Sequence, residues 1–270
     1  MDNRPIGVFD SGLGGLTAAR HLRHILPGET IVYFGDTGRV PYGPRSPETI
    51  RQYARQDIAF LLSKNVKFIL AACGTVSSTY PPEEAAALPV PFLGVVEPAA
   101  RRAAEATRSG KVGIIGTQAT IRSGSFAEVV RRLRPDVQLF ERACPMFVPL
   151  VENGYVQPGD PVTRLVAHQY LDDLRDAGVD TLILGCTHFP LLESAVREVM
   201  GPDAVLIDSG REAAEAVRSA LQQQDLLSDA AQGSAEFYVS DSTEQFAGLA
   251  QIFLGQYAGG SVQQIAIEDY

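Results

Sequence analysis

Two stretches decide the fold: Pro5-Ile6-Gly7-Val8-Phe9-Asp10-Ser11 and Lys111-Val112-Gly113-Ile114-Ile115-Gly116-Thr117. Each is a short, β-branched apolar run that ends in small polar residues, and each reads as a buried strand. Around them the chain repeats itself. Ile31 to Phe34 follows the first run, and Val137 to Phe140 mirrors it after the second. Phe68-Ile-Leu-Ala-Ala-Cys73 is echoed by Leu182-Ile-Leu-Gly-Cys186-Thr187. Three strands therefore recur in the same order, which indicates two similar halves.

Helical-period segments separate the strands. Leu16 to Leu26 is one. Ser46-Pro47 opens a second, with Ser as N-cap and Pro at the first helical position. Its apolar residues Ile50, Tyr53, Ile58, Leu61 and Leu62 keep helical spacing. Val66 to Ala71 and Val90 to Val95 complete the first set of strands, and Glu97 to Thr107 is the next helix. Strands alternating with helices imply mostly parallel sheets covered on both faces. Beyond Val205-Leu-Ile-Asp208 come a helix (Arg211 to Gln223), a polar loop, a strand (Phe237 to Val239) and a helix (Phe246 to Leu254). A last strand, Val262 to Ile267, ends the chain. That tail is too short for a core of its own and is expected to return to the first domain. The expected domains are 1–97 plus 208–270, and 98–207.

Composition bounds the function. The 270 residues are 45% hydrophobic and carry a formal net charge of −9. A field of that sign repels a duplex, so nucleic acid is not expected as the main ligand. No apolar run reaches membrane-spanning length, and no signal peptide is visible, so no membrane is expected. Three cysteines cannot all pair and lie far apart, which fits a reducing cytoplasm and no disulfide framework. No His/Cys/carboxylate pair has ligand spacing, so no metal is expected. Lysine occurs only at Lys64, Lys67 and Lys111, near strand beginnings, so no pyridoxal cofactor is expected.

Chemistry should lie at the C-terminal strand ends. Four carry polar residues: Asp10-Ser11, Cys73-Gly74-Thr75, Gly116-Thr117 and Cys186-Thr187-His188. Backbone N–H groups at following helix N-termini can bind carboxylates and lower a thiol's pKa. Cys73 and Cys186 occupy equivalent places, each with a Thr beside it. Facing halves would put both thiols on one cleft. Inverting a carbon stereocentre needs a base on one face and an acid on the other, and a thiol can serve as either. A strand-end Cys is often only a small apolar residue, but two at matching positions favour the functional reading. Cys144 lacks the matching Thr and reads as structural. His188 can tune Cys186 or move a proton. His21, His24 and His168 lie in helical segments. Asp10 can orient an ammonium or cap a helix. Gly12-Leu-Gly-Gly15 lacks dinucleotide spacing and reads as a tight turn.

The motifs Phe9-Asp-Ser-Gly-Leu-Gly-Gly-Leu-Thr17, Gly35-Asp-Thr-Gly-Arg-Val-Pro-Tyr-Gly43, Cys144-Pro-Met-Phe-Val-Pro-Leu-Val-Glu-Asn-Gly154 and Gly185-Cys-Thr-His-Phe-Pro-Leu191 resemble the bacterial glutamate racemase family, within the aspartate/glutamate racemases. The resemblance runs over nearly the whole chain. It implies two α/β domains related by pseudo-twofold symmetry, with the active site in the cleft between them. It also implies cofactor-independent interconversion of L- and D-glutamate, supplying D-glutamate for peptidoglycan. By motif, Cys73 and Cys186 would be the acid/base thiols, assisted by Asp10, Glu152 and His188. Asp10, Ser11, Tyr42, Gly43, Gly74, Thr75, Thr187 and His188 would contact glutamate, and Thr117 and Thr120 would hold a carboxylate from the second half. Gly74 stands where the family usually has Asn, and Gly38 where it usually has Ala. The small-molecule partner implied is glutamate. A homodimer stays open, as does racemisation of aspartate or another amino acid. Two other classes remain: a Cys186–His188 hydrolase, which leaves Cys73 unexplained, and a non-enzymatic amino-acid binder.

Overall fold

The computed structural model describes residues 1–257 and 261–270. In the first half, β1 (Ile6–Asp10), α1 (Leu16–Ile25), β2 (Ile31–Gly35), α2 (Pro47–Ser63) and β3 (Phe68–Ala71) alternate as expected. Two short helices, α3 (Gly74–Ser77) and α4 (Pro82–Ala86), precede β4 (Phe92–Gly94). Ser46 does cap α2, its hydroxyl accepting the Thr49 N–H at 3.3 Å. The second half runs α5 (Val96–Ala106), β5 (Lys111–Gly116), α6 (Gln118–Ser123), α7 (Ser125–Leu133) and β6 (Gln138–Ala143). It continues through α8 (Phe147–Glu152), α9 (Pro161–Asp176), β7 (Thr181–Leu184), α10 (Glu193–Met200) and β8 (Val205–Asp208). Then come α11 (Ser209–Gln223), β9 (Ala235–Val239), α12 (Thr243–Leu254) and β10 (Val262–Gln264). The last strand is shorter than expected. Ile267–Asp269 forms a 3-10 turn, and Ile267 is buried in the core that holds Phe60.

Two parallel sheets result. The first has strand order β10-β9-β2-β1-β3-β4 and the second β6-β5-β7-β8. The order β2-β1-β3-β4 is reproduced by β6-β5-β7-β8, so the sequence repeat is a repeat of topology. β1 sits between β2 and β3, and β5 between β6 and β7. The chain crosses to the second sheet after β4 and returns through α11. There β9 pairs with β2, which brings the tail back to the first sheet.

Period-two alternation sorts the core. Ile6 and Val8 of β1 face one apolar cluster, and Phe9 faces another. The first cluster is continuous from Val8 and Leu16 to Leu184 and Phe189, so the two lobes share apolar packing. The second covers the far face of the first sheet, where Phe34 and Phe60 lie with ring centroids 5.1 Å apart. Truncating either to alanine would cost about 3–5 kcal/mol. A third covers the outer face of the second sheet around Ile114 and Phe126. None of the described helices is long and apolar enough to cross a membrane.

Candidate active site

The C-terminal ends of β1, β3, β5 and β7 converge on a cavity of about 420 Å³. Its lining includes every residue singled out from the sequence: Asp10, Ser11, Tyr42, Gly43, Cys73, Gly74, Thr75, Thr117, Thr120, Glu152, Cys186, Thr187 and His188. Cys73 follows β3 and Cys186 follows β7, so the two thiols sit at equivalent strand ends of the two sheets. No Lys or Arg is among the lining residues described. A larger open depression of about 590 Å³, near Pro82, Leu88 and Phe92, has no titratable group in its lining.

On the first lobe, Asp10 ends β1 and is almost fully buried, with its Oδ2 accepting the Gly12 N–H at 3.0 Å. Burial pushes its carboxyl up, opposed by His188 and by the Gly15 and Gly12 N–H groups. Gly15 is required here, because a Cβ on it would lie 2.6 Å from Asp10 Cβ. Cys73 Sγ lies 3.4 Å from Ser11 Oγ. Burial, then the Asp10 charge, pushes the Cys73 thiol up to about 12. The expected lowering by a helix N-terminus does not occur. The helix that follows, α3, is a single turn, and its dipole does not offset desolvation of the sulfur.

On the second lobe, His188 stands between two partners. Its Nδ1 is 3.9 Å from Cys186 Sγ and its Nε2 is 3.1 Å from Glu152 Oε1. Burial disfavours the imidazolium, but Cys186 and Glu152 outweigh it and the pKa rises to about 10. His188 is therefore cationic at neutral pH, with both ring nitrogens as donors. The Phe253 ring of α12 packs edge-on against it, at 5.2 Å between centroids.

The threonines cross the cleft. Thr75 and Thr117 hydroxyls are 3.5 Å apart, one from each lobe. Thr117 also caps α6, accepting the Thr120 N–H at 3.2 Å and meeting the Thr120 hydroxyl at 3.0 Å. Gly74 passes so close to the second lobe that a Cβ would lie 2.6 Å from the Gly185 carbonyl oxygen.

Tyr42 lines the cavity, but its hydroxyl points into the first lobe. It donates to Asp36 and to Asp57, the latter at 3.2 Å. Arg39 joins both carboxylates, at 2.6 Å to Asp36 and 3.1 Å to Asp57. Asp36 and Asp57 are buried and this one guanidinium serves both. Burial and the Asp36 charge hold the Asp57 carboxyl well above the ordinary range. Cys144, read as structural, is fully buried and lines the same cavity. Burial pushes its thiol up. Its motif, shared with Glu152, was the available signal. Pro145 and Val148, which belong to the same motif, also line the cavity, as does Gln118, which had no signal.

Among the described residues, no group of three or more His, Cys, Asp or Glu side chains is placed to hold a metal. The lysines serve as structural ties. Lys67 pairs with Glu29 at 2.6 Å, Lys111 donates to the Ala177 carbonyl at 2.7 Å, and Lys64 lies over the Tyr238 ring.

The Asp/Glu/Hydantoin racemase family model matches residues 16–217. A protein named glutamate racemase from Geobacter metallireducens is 44% identical over 99% of this chain and 98% of its own length. The crystal structure of glutamate racemase from Thermus thermophilus, in complex with β-chloro-D-alanine, superposes with a TM-score of 0.89 at 44% identity. That from Francisella tularensis, in complex with D-glutamate, gives 0.91 at 34% identity. Each match covers 100% of both chains.

Proposed function

The chain belongs to the Asp/Glu/hydantoin racemase family, and on that premise we propose that it interconverts L- and D-glutamate by proton transfer between two thiols. One observation carries the reading: Cys73 and Cys186, from equivalent strand ends of two similar lobes, line one cavity. With L-glutamate bound, the Cys186 thiolate takes the Cα proton, and the electron pair spreads into the α-carboxylate. The Cys73 S–H then gives its proton to the opposite face. One C–H bond breaks and one forms, leaving Cys186 as the thiol and Cys73 as the thiolate. The reverse sequence converts D-glutamate.

The flanking groups divide the labour. The His188 imidazolium compensates charge on the Cys186 sulfur, and Glu152 keeps that ring protonated and oriented. Asp10, buried beside Cys73 with its own carboxyl pushed up, exchanges a proton with that thiol when Cys73 must act as the base. A lining without Lys or Arg leaves the substrate carboxylates to backbone N–H groups and hydroxyls. Ser11, Thr75, Thr117, Thr120 and Thr187 supply the latter. The engaged Tyr42 hydroxyl leaves its backbone, with Gly43 and Gly74, for the ligand.

We take 1–97 plus 208–270 as the first domain and 98–207 as the second. The product, D-glutamate, serves peptidoglycan in this family. The free thiols suit a reducing compartment, so we place the enzyme in the cytoplasm.

The test is circular dichroism of L-glutamate incubated with purified protein and no added cofactor. The expected result is decay of the signal to zero. A signal that persists with folded protein contradicts racemisation.

A further inference from the structure

A stripe formed by α1 and the turn before it reaches the turn after β7, the end of β8 and the start of α11. Thr17 and His21, at i and i+4 with Ala18 beside them, share one face of α1, and Gly14 lies in the turn that leads into it. A Cβ on Gly14 would overlap Thr187 Oγ1 and the His188 ring. Thr17 Oγ1 lies 3.1 Å from the Thr187 carbonyl oxygen and 2.9 Å from that of Gly14. A Cβ on Gly210 would lie 3.3 Å from Ala18. His21 Nε2 is 2.8 Å from Asp208 Oδ2, and Asp208 itself caps α11. The stripe therefore runs along the ends of β7 and β8. Within it, Thr17 is the fully buried side chain that hydrogen-bonds the turn carrying Cys186 and His188.

We propose that Thr17 is a positioning residue: its hydroxyl, shared between the Gly14 and Thr187 carbonyls, holds the Cys186-Thr187-His188 turn in register with the Asp10–Cys73 side of the cavity. The inference rests on the two-thiol reading. The Gly12-to-Gly15 turn leads from Asp10 directly into α1, so Thr17, the second residue of that helix, follows closely on the first lobe's Asp10. Its bond reaches the residue between Cys186 and His188. Thr17 thereby ties the N-terminal end of α1, which follows the turn after Asp10, to the turn that carries Cys186 and His188. A hydroxyl is needed because the carbonyl of Thr187 is buried and would otherwise lose this donor. Small misplacements of an acid/base group cost rate steeply, since proton transfer needs hydrogen-bond reach.

The experiment compares the parent with Thr17→Val and Thr17→Ser, using both enantiomers with hydrogen or deuterium at Cα. For Thr17→Val the expected result is a fall in kcat of at least about 10-fold. The primary isotope effect should rise for L-glutamate, whose proton Cys186 takes, and should shrink for D-glutamate. Thr17→Ser keeps the hydroxyl and is expected to restore kcat to within about twofold, since the donor is retained. A loss of thermal stability with parent-like kcat and isotope effects would mean a structural role only, and would overturn the proposal. So would isotope effects that change equally for both enantiomers. Should Thr17→Val fail to fold, Thr17→Ala removes the same donor without new bulk and carries the same test. Alkylation by iodoacetamide, mapped on peptides, is independent of turnover. Loss of the Thr17 donor should slow labelling of Cys186 and leave Cys73 unchanged, and equal labelling contradicts the inference. A parent protein that fails to racemise glutamate counts against the two-thiol reading, while the alkylation arm still decides the role of Thr17.

Discussion

His188 holds Glu152 at 3.1 Å through Nε2 while its Nδ1 faces Cys186 at 3.9 Å, so one imidazolium bridges a carboxylate and a thiol. Glu152 ends α8 and its side chain is partly exposed, whereas His188 is buried.

Glu152→Gln removes the charge and keeps the shape. A hydrogen bond to a charged group contributes about 1.5–3 kcal/mol, so kcat/KM should fall by about 10–100-fold. The raised pKa of His188 near 10 gives the sign of the pH effect. The stability it confers is fully present below the unfolded value of about 6.5 and is lost as pH rises through about 10. In Glu152→Gln that loss should be smaller and complete at lower pH, and the alkaline limb of kcat/KM should move down with it. Identical alkaline limbs in parent and variant would contradict the assignment.

Cys73 should resist alkylation at neutral pH in the unliganded protein. Its thiol is pushed up to about 12, so its thiolate population should grow about tenfold per pH unit below that value. Peptide mapping after iodoacetamide treatment between pH 7 and pH 10 checks this, against the scale set by an ordinary thiol near 8.5. Fast labelling of Cys73 at neutrality would mean the site lowers that pKa.

Cys144→Ala should stay active, while Cys73→Ala and Cys186→Ala should lose at least about 10²–10⁴-fold. Cys144 lines the cavity but lies outside the paired strand ends of β3 and β7. Circular dichroism assays on the three folded variants check it. Equal loss in all three would remove the special status of the pair.

Gly74→Asn introduces a Cβ 2.6 Å from the Gly185 carbonyl oxygen, a backbone atom that yields only if the lobes separate. The expected cost is about 1–3 kcal/mol of stability, with kcat/KM lowered as the cleft opens. Thermal unfolding and steady-state assays of the variant check it. Unchanged stability with raised activity would show that the cleft accommodates the amide.

Much of the architecture was legible because it is local. The strand repeat, the Ser46-Pro47 cap and the strand-end cysteines each depend on neighbours in sequence, and the structure contains all three. What escaped is set by distant contacts. Tyr42 reads as a substrate contact from its motif, yet its hydroxyl turns to Asp57, fifteen residues away. Nothing near Thr17 signals that it meets Thr187, 170 residues on. Gly74 reads as a lost amide contact, whereas its neighbour across the cleft, Gly185, explains why bulk is excluded. A helix N-terminus after Cys73 predicts a lowered thiol pKa, whereas burial raises it, because desolvation depends on the whole fold and not on the following helix alone. Helices α8, α9 and α10 carry no reading from sequence, although Asp160-Pro161 forms a good N-terminal signal, with Asp160 accepting the Thr163 N–H at 2.9 Å.

The central claim, two thiols serving opposite faces of one Cα, is tested most directly by isotope effects in Cys73→Ser and Cys186→Ser. Serine is a far weaker base than the thiolate it replaces. Mirror-image substrates have an equilibrium constant of one, so kcat/KM must fall equally in both directions, and only the isotope effects can differ. The primary effect on Cα–H cleavage should be larger for D-glutamate in Cys73→Ser and larger for L-glutamate in Cys186→Ser. Isotope effects with the same asymmetry in both variants, together with substrate hydrogen retained in the product, would establish a single base and contradict the account.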